Sequence, residues 1–166
     1  MSVTRGFLSF FFIVLFCVKA NPHEPAASAI LIRKGKVIAI KDGDTISLLY
    51  NRQTLTIRLA HIDCPEKGQP YGARARQFIS DSCFGKNITV TGTRFDRNKR
   101  LIGVVSTAAG TNINKALIEA GLAWHYRQYS SDSSYSLLEK QARLQRKGLW
   151  AESKPTPPWN WRKRNR

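Results

Sequence analysis

Acidic side chains are scarce in this sequence. Eleven Asp and Glu stand against 27 Lys and Arg in 166 residues, giving a formal net charge of +16. The corresponding pI near 10.4 points away from a cationic partner and toward an anionic one, nucleic acid before an acidic membrane surface. The plainer alternative is that the charge only keeps the protein soluble. Histidine and cysteine are equally sparse. His23, His61 and His125 are scattered, and no Cys/His spacing suits zinc. No apolar run is long enough to span a bilayer comfortably: Phe7 to Val18 is too short, with Arg5 before it and Val18-Lys19-Ala20 after it. That arrangement reads as a secretory signal peptide over 1–20, cut near Ala20, with a secreted or periplasmic product. An uncleaved anchor is the alternative, and Phe16-Cys17 lacks the small residue that a lipid-attachment site wants. A long cationic amphipathic helix is also missing, which argues against a membrane-active or adhesive protein. No internal repeat is present.

Removing the signal takes away Arg5 and Lys19 and no acid, leaving 25 basic and 11 acidic residues, or +14. It also removes Cys17. Cys64 and Cys83 remain, and in an oxidising compartment they either form one disulfide or stay separate thiols, with Cys83 on the buried face of a helix. A hydrophobic fraction of 42% is ordinary for a packed domain, and the length allows one domain.

After a polar leader over 21–28, the pattern alternates with period two. Val37, Ile38 and Ile40, then Ile46, Leu48 and Tyr50, then Leu55, Ile57 and Leu59 predict three strands of an antiparallel meander. Breaks are expected at Lys34-Gly35-Lys36, Asp42-Gly43 and Asn51-Arg52-Gln53. Two further strands fit Asn87 to Phe95 and Leu101 to Thr107, joined by a charged turn. Helical periodicity places Tyr71, Ala75, Phe78, Ile79 and Cys83 on one face, ending at Gly85. Asn112 caps a short helix with Ile113, Ala116, Leu117 and Ala120 inward. A third helix runs from about Ser133 to Lys147 with Leu138 and Ala142 inward. The domain therefore covers 29–151. Residues 152–166 form a Pro/Trp/basic tail, extended through Lys154-Pro155-Thr156-Pro157-Pro158 and then carrying Trp159, Trp161 and a basic end. A basic tail with stacking aromatics suits nucleic acid. The alternative carried forward is a disordered terminus, its tryptophans packing back on the domain.

Against this basic background, four of the eleven acids fall in one short window: Asp42, Asp44, Asp63 and Glu66. Singly they are unremarkable, since Asp42-Gly43 is a routine turn and Asp63 with Pro65 a routine strand exit. Jointly they predict one site. If Ile46 and Leu48 share a buried face with Ile57 and Leu59, Asp44 lies across from about residues 59 to 61. The chain then leaves its strand at Asp63, at the same end of the hairpin. Arg58 is adjacent, but its side chain should leave the buried face, and only strand curvature would aim it at the acids. Two aspartates can hold a hard divalent cation while leaving room for water and a phosphodiester. Glu66 can accept a proton from the attacking water or orient it. Arg58, with Arg100 as second candidate, offers planar forks to phosphate oxygens.

These pieces, in order, resemble the staphylococcal nuclease (thermonuclease) family: Asp42-Gly43-Asp44-Thr45, Arg58-Leu59, Ile62-Asp63-Cys64-Pro65-Glu66, Tyr71-Gly72, Asp96-Arg97-Asn98-Lys99-Arg100, Asn114-Lys115-Ala116-Leu117 and Gly121-Leu122-Ala123. The resemblance runs from about Gly35 to Trp150 and implies an α+β fold, a five-stranded OB-type β-barrel with three α-helices. It implies Ca²⁺-dependent hydrolysis of DNA and RNA with low sequence specificity, leaving 3′-phosphate ends, by a monomer with no stable protein partner. By the same resemblance Asp44, Asp63 and the Cys64 main-chain carbonyl would be metal ligands. Glu66 would be the general base, and Arg58 and Arg100 would clamp the phosphate. The chain departs from the family in three places. Cys64 replaces a threonine, Asn98 replaces a nucleotide-packing tyrosine, and Trp124, Tyr126 and Tyr129 stand in shifted positions for a tyrosine pair. A catalytically silent OB-type nucleic-acid-binding module is the rival reading. It predicts loss of a site acid or arginine, and none is lost.

Overall fold

The computed structural model describes residues 29–164. The expected signal segment, Cys17 and the polar leader lie outside the described residues. Strand β1 (Leu31–Asp42) is followed by β2 (Thr45–Tyr50), β3 (Gln53–Leu59) and a two-residue strand β4 (Ile62–Asp63). Helix α1 (Gly72–Cys83), β5 (Asn87–Phe95), β6 (Leu101–Thr107), α2 (Ile113–Glu119), β7 (Trp124–His125), α3 (Ser133–Leu144) and α4 (Pro158–Arg164) complete the order, with a 3-10 turn at Gly148–Ala151.

Five strands close into a barrel in the order β1-β2-β3-β6-β5. The neighbours are antiparallel except β3 and β6, which run parallel through Ile57↔Leu101, Arg58↔Ile102 and Leu59↔Gly103. The β2–β3 hairpin turns on Asn51 and Arg52, whose φ of 48° and 62° match the paired left-handed residues of a tight two-residue loop. The barrel is thus the expected OB-type α+β architecture, with four helices among the described residues rather than the expected three.

The break expected at Lys34-Gly35-Lys36 is not a turn. Strand β1 runs straight through it, pairing with β5 over Leu31 to Lys36 and with β2 from Lys36 to Asp42. The strand changes partner there, and glycine is needed because of close approach: a Cβ on Gly35 would stand 2.2 Å from the Leu49 carbonyl oxygen.

Alternating residues fill the barrel. Val37, Ile46, Leu48, Ile57, Val90, Leu101 and Val105 are fully buried, and Ala75, Ile79 and Cys83 of α1 and Leu117 and Ile118 of α2 cover the open end. Each buried Leu or Ile contributes roughly 1.5–3 kcal/mol. Asn112 caps α2 as expected, its side chain accepting from the Lys115 N–H at 3.0 Å. Inside that helix Asn114 is a buried polar hub. Its amide donates to the carbonyls of Ala60 and Gly103, and its Oδ1 accepts from the Val105 N–H, tying α2 to β6 and to the end of β3.

A second apolar cluster sits beside the barrel, formed by Trp124, Ala142, Leu149 and Trp150, with Tyr71 and Trp159 packed against it. Through Arg164 the tail is therefore ordered, with Trp159 packed back on the domain as the alternative allowed. Its first part bends through 152–154 and has no regular structure over 155–157. Pro158 then opens α4 at the position where proline suits a helix start.

Candidate active site

The acidic window assembles at one end of the β2–β3 hairpin. Thr45 pairs with Arg58, and the Leu59 N–H donates to the Asp44 carbonyl at 2.9 Å, so Asp44 lies where the register placed it. Asp63 is fixed from the other side, because β4 pairs with β7 through Asp63↔Trp124. Both aspartates are buried. Asp44 Oδ2 accepts the Cys64 N–H at 2.8 Å, and Thr45 Oγ1 donates to Asp44 Oδ1 at 3.1 Å.

Arg58 joins the two acids. Its Nη2 lies 2.7 Å from Asp63 Oδ1 and 3.1 Å from Asp44 Oδ2. Its Nη1 donates to the carbonyls of Leu59 and Ile62, at 2.9 and 3.0 Å. The chain leaving β3 wraps around the guanidinium, which is how a side chain from the outward face reaches the site. Burial works against the charge, but Asp44 and Asp63 more than offset it and raise the Arg58 pKa above its ordinary value. At Asp63 burial dominates in the other direction. It pushes the carboxyl above the usual carboxylate range, against the pull of Arg162 and Arg58.

Glu66 stands in the loop leading to α1. The Glu66 N–H donates to Gln69 Oε1 at 3.0 Å, and the Gln69 N–H donates back to the Glu66 carbonyl at 3.0 Å. Gly72 begins α1 so close by that a Cβ there would meet the Glu66 carbonyl oxygen at 2.1 Å. The Glu66 side chain is one-third exposed (34%), unlike the Asp63 side chain at 2%.

Two expectations resolve differently. Cys64 and Cys83 are both buried free thiols, so the disulfide alternative falls away. The Cys64 side chain packs under the Asp42-Gly43 turn, 3.0 Å from where a Gly43 Cβ would lie. Burial pushes its thiol well above the ordinary range. Arg100 stands two residues before Ile102, the β6 partner of Arg58, and its guanidinium is engaged with Asp96. Its Nε and Nη2 hold Asp96 Oδ2 at 2.8 and 2.7 Å in the β5–β6 turn. Against slight desolvation, hydrogen bonds from Arg100 and Asn98 draw the Asp96 carboxyl below its usual value.

One residue was missed from the sequence. Arg162 of α4 places Nη2 2.8 Å from Asp63 Oδ2 and Nη1 2.5 Å from Glu66 Oε1. The available signal was Pro157-Pro158 followed by Trp159-Asn160-Trp161-Arg162, a helix start with two apolar anchors ahead of a cation.

The donor set is all oxygen and suits a hard cation rather than zinc. Among the described residues no three His, Cys, Asp or Glu side chains form a cage. An ion here would be held by Asp44 and Asp63, with main-chain, water and substrate oxygens completing its shell. Beside the site lies an open cleft of about 820 Å³, lined among others by Trp124, Tyr126, Arg127, Lys140, Arg143 and Trp159.

The comparisons agree with this geometry. The staphylococcal nuclease homologue family matches residues 56–152. A protein of Escherichia coli O157:H7 described as an uncharacterized endonuclease is 42% identical over 130 residues, covering 78% of this chain and 85% of the relative. A micrococcal nuclease of Shigella flexneri is 44% identical over 140 residues, covering 78% and 80%. An uncharacterized endonuclease of Haemophilus influenzae is 36% identical over 132 residues, covering 79% and 74%. The chain belongs to the staphylococcal nuclease family.

Proposed function

We propose that this protein is a nuclease that hydrolyses phosphodiester bonds in both DNA and RNA with low sequence specificity, using Ca²⁺ and leaving 3′-phosphate ends. The observation that carries the reading is the convergence of Asp44, Asp63 and Arg58 in one bonded cluster, with Glu66 reached from it through Arg162. Asp44, Asp63 and the Cys64 main-chain carbonyl would hold the cation. Its contribution when bound is to neutralise phosphate oxygens as charge builds at phosphorus.

The chain's own residues do the rest. Arg58 is held by two main-chain carbonyls, so it can exchange its carboxylate partners for phosphate oxygens without a rotamer search. Glu66, partly exposed on a loop braced by Gln69, takes a proton from the attacking water or orients it. Arg100 supplies positive charge from the β5–β6 turn and completes the clamp if it exchanges Asp96 for substrate. The cleft beside the site offers aromatic faces and cations on which unstacked bases can rest without sequence readout. We place the activity outside the cytoplasm, after cleavage near Ala20, on the strength of the apolar run and its flanks.

The test is digestion of single-stranded DNA and RNA in millimolar Ca²⁺ and in a calcium chelator, followed by end-group analysis. Ca²⁺-dependent cleavage giving 3′-phosphates is expected for both substrates. Products with 3′-hydroxyls, or equal cleavage in chelator, would refute the reading.

A further inference from the structure

The C-terminal segment is built into the active site. Gln69, which braces Glu66, donates its Nε2 to the Thr156 carbonyl at 2.6 Å. The Trp159 ring lies parallel to Tyr126 at 5.5 Å and edge-on to Trp124 at 5.7 Å. Trp161 lines a small recess with Pro65, Gln69 and Pro70. Pro158 is buried. These anchors precede Arg162 and dock the start of the helix on the domain, so α4 forms a wall of the site that carries the guanidinium. That side chain is 35% exposed, against 13% for Arg58.

Asp63 is flanked by two forks, with Arg58 on Oδ1 and Arg162 on Oδ2. Arg58 is locked by main-chain carbonyls, whereas Arg162 bonds the carboxylates of Asp63 and Glu66, which a phosphate oxygen can replace. The helix brings no acid to the site. Its last turn is Arg162, Lys163 and Arg164, so nothing in it mimics an anionic substrate. Meanwhile Arg100, the expected second clamp, is engaged with Asp96.

We propose that Arg162 is a further catalytic arginine of this enzyme, taking the scissile phosphate's non-bridging oxygens in exchange for Asp63 and Glu66 as substrate enters. The exchange also releases Glu66 from an ion pair at the moment it must accept a proton. The inference rests on the nuclease reading above.

The test compares wild type with Arg162→Ala, Arg162→Lys and Lys163→Ala on single-stranded DNA, with kcat and KM measured at several Ca²⁺ concentrations. Arg162→Ala is expected to lower kcat by about 10²-fold, with a smaller change in KM. Arg162→Lys keeps a cation beside both acids, so its fold is retained, yet it lacks the fork and still loses about tenfold. Lys163 is exposed, and Lys163→Ala removes the same unit of charge and stays near wild type. Unchanged or increased kcat in both Arg162 variants, above all at low Ca²⁺, would overturn the proposal and make α4 an inhibitory strap, leaving the nuclease reading intact. A wild-type protein with no cleavage would overturn both.

Discussion

Asp63 stands with a guanidinium on each of its oxygens, and Asp44 shares one of them. The pairing makes the charges of the site interdependent. Removing Arg58 leaves two buried carboxylates facing each other, so Arg58→Ala should lower unfolding free energy by about 3 kcal/mol, read in urea, as well as activity. Glu66 differs, because it is one-third exposed and its one ion pair reaches the solvent edge. Glu66→Gln should leave stability within about 0.5 kcal/mol of wild type while cleavage collapses. The sequence made Asp44, Asp63 and Glu66 legible as one site, since strand register is a period-two rule. Arg58 was not derivable that way, because its approach depends on the chain folding back over it after Leu59. Arg162 lay about a hundred residues further on, and nothing local couples positions so far apart.

At the level of elements, the strands Asn87–Phe95 and Leu101–Thr107 lie where alternation placed them, as do α1 and the Asn112 cap. The parallel closure of β3 on β6 and the passage of β1 through Gly35 were not legible, because both depend on which distant strand lies alongside. Asn114 is the pin of that closure. Asn114→Ala should cost about 3 kcal/mol, since the Ala60 carbonyl and the Val105 N–H each lose a buried partner and the Gly103 carbonyl keeps only the Ala60 N–H. The loops near the site are joined by a second network, in which Ser130 Oγ bonds His61 Nδ1 at 2.8 Å and His125 Nε2 at 2.9 Å, while His125 Nδ1 meets Ser136 Oγ. Burial lowers both histidine pKa values below 6.5. The unfolded chain therefore takes up protons first as pH falls. The stabilisation is full above pH 6.5 and is lost as pH drops through the folded values. Thermal midpoints should fall between pH 7 and pH 5, and His125→Gln should flatten that slope.

Across the whole molecule the charge is one-sided, +16 in total, with four of its eleven acids where the chemistry is proposed. Such a surface binds polyanions largely by counterion release, so substrate affinity should weaken with a log–log salt slope of about −3 for single strands if some four cations meet phosphates. The tail belongs to this scale as well. It was legible as basic and aromatic, and its docking was not, because that rests on Trp159 finding Tyr126 and Trp124 across the fold.

The most direct measurement sets wild type beside Glu66→Gln on single-stranded DNA with millimolar Ca²⁺, and repeats both in chelator. Cleavage by wild type in Ca²⁺ alone, with the variant folded, able to bind DNA and unable to cut it, is the result expected. Salt-sensitive binding without cleavage by either protein would contradict the account and leave a binding module with a silent acidic site.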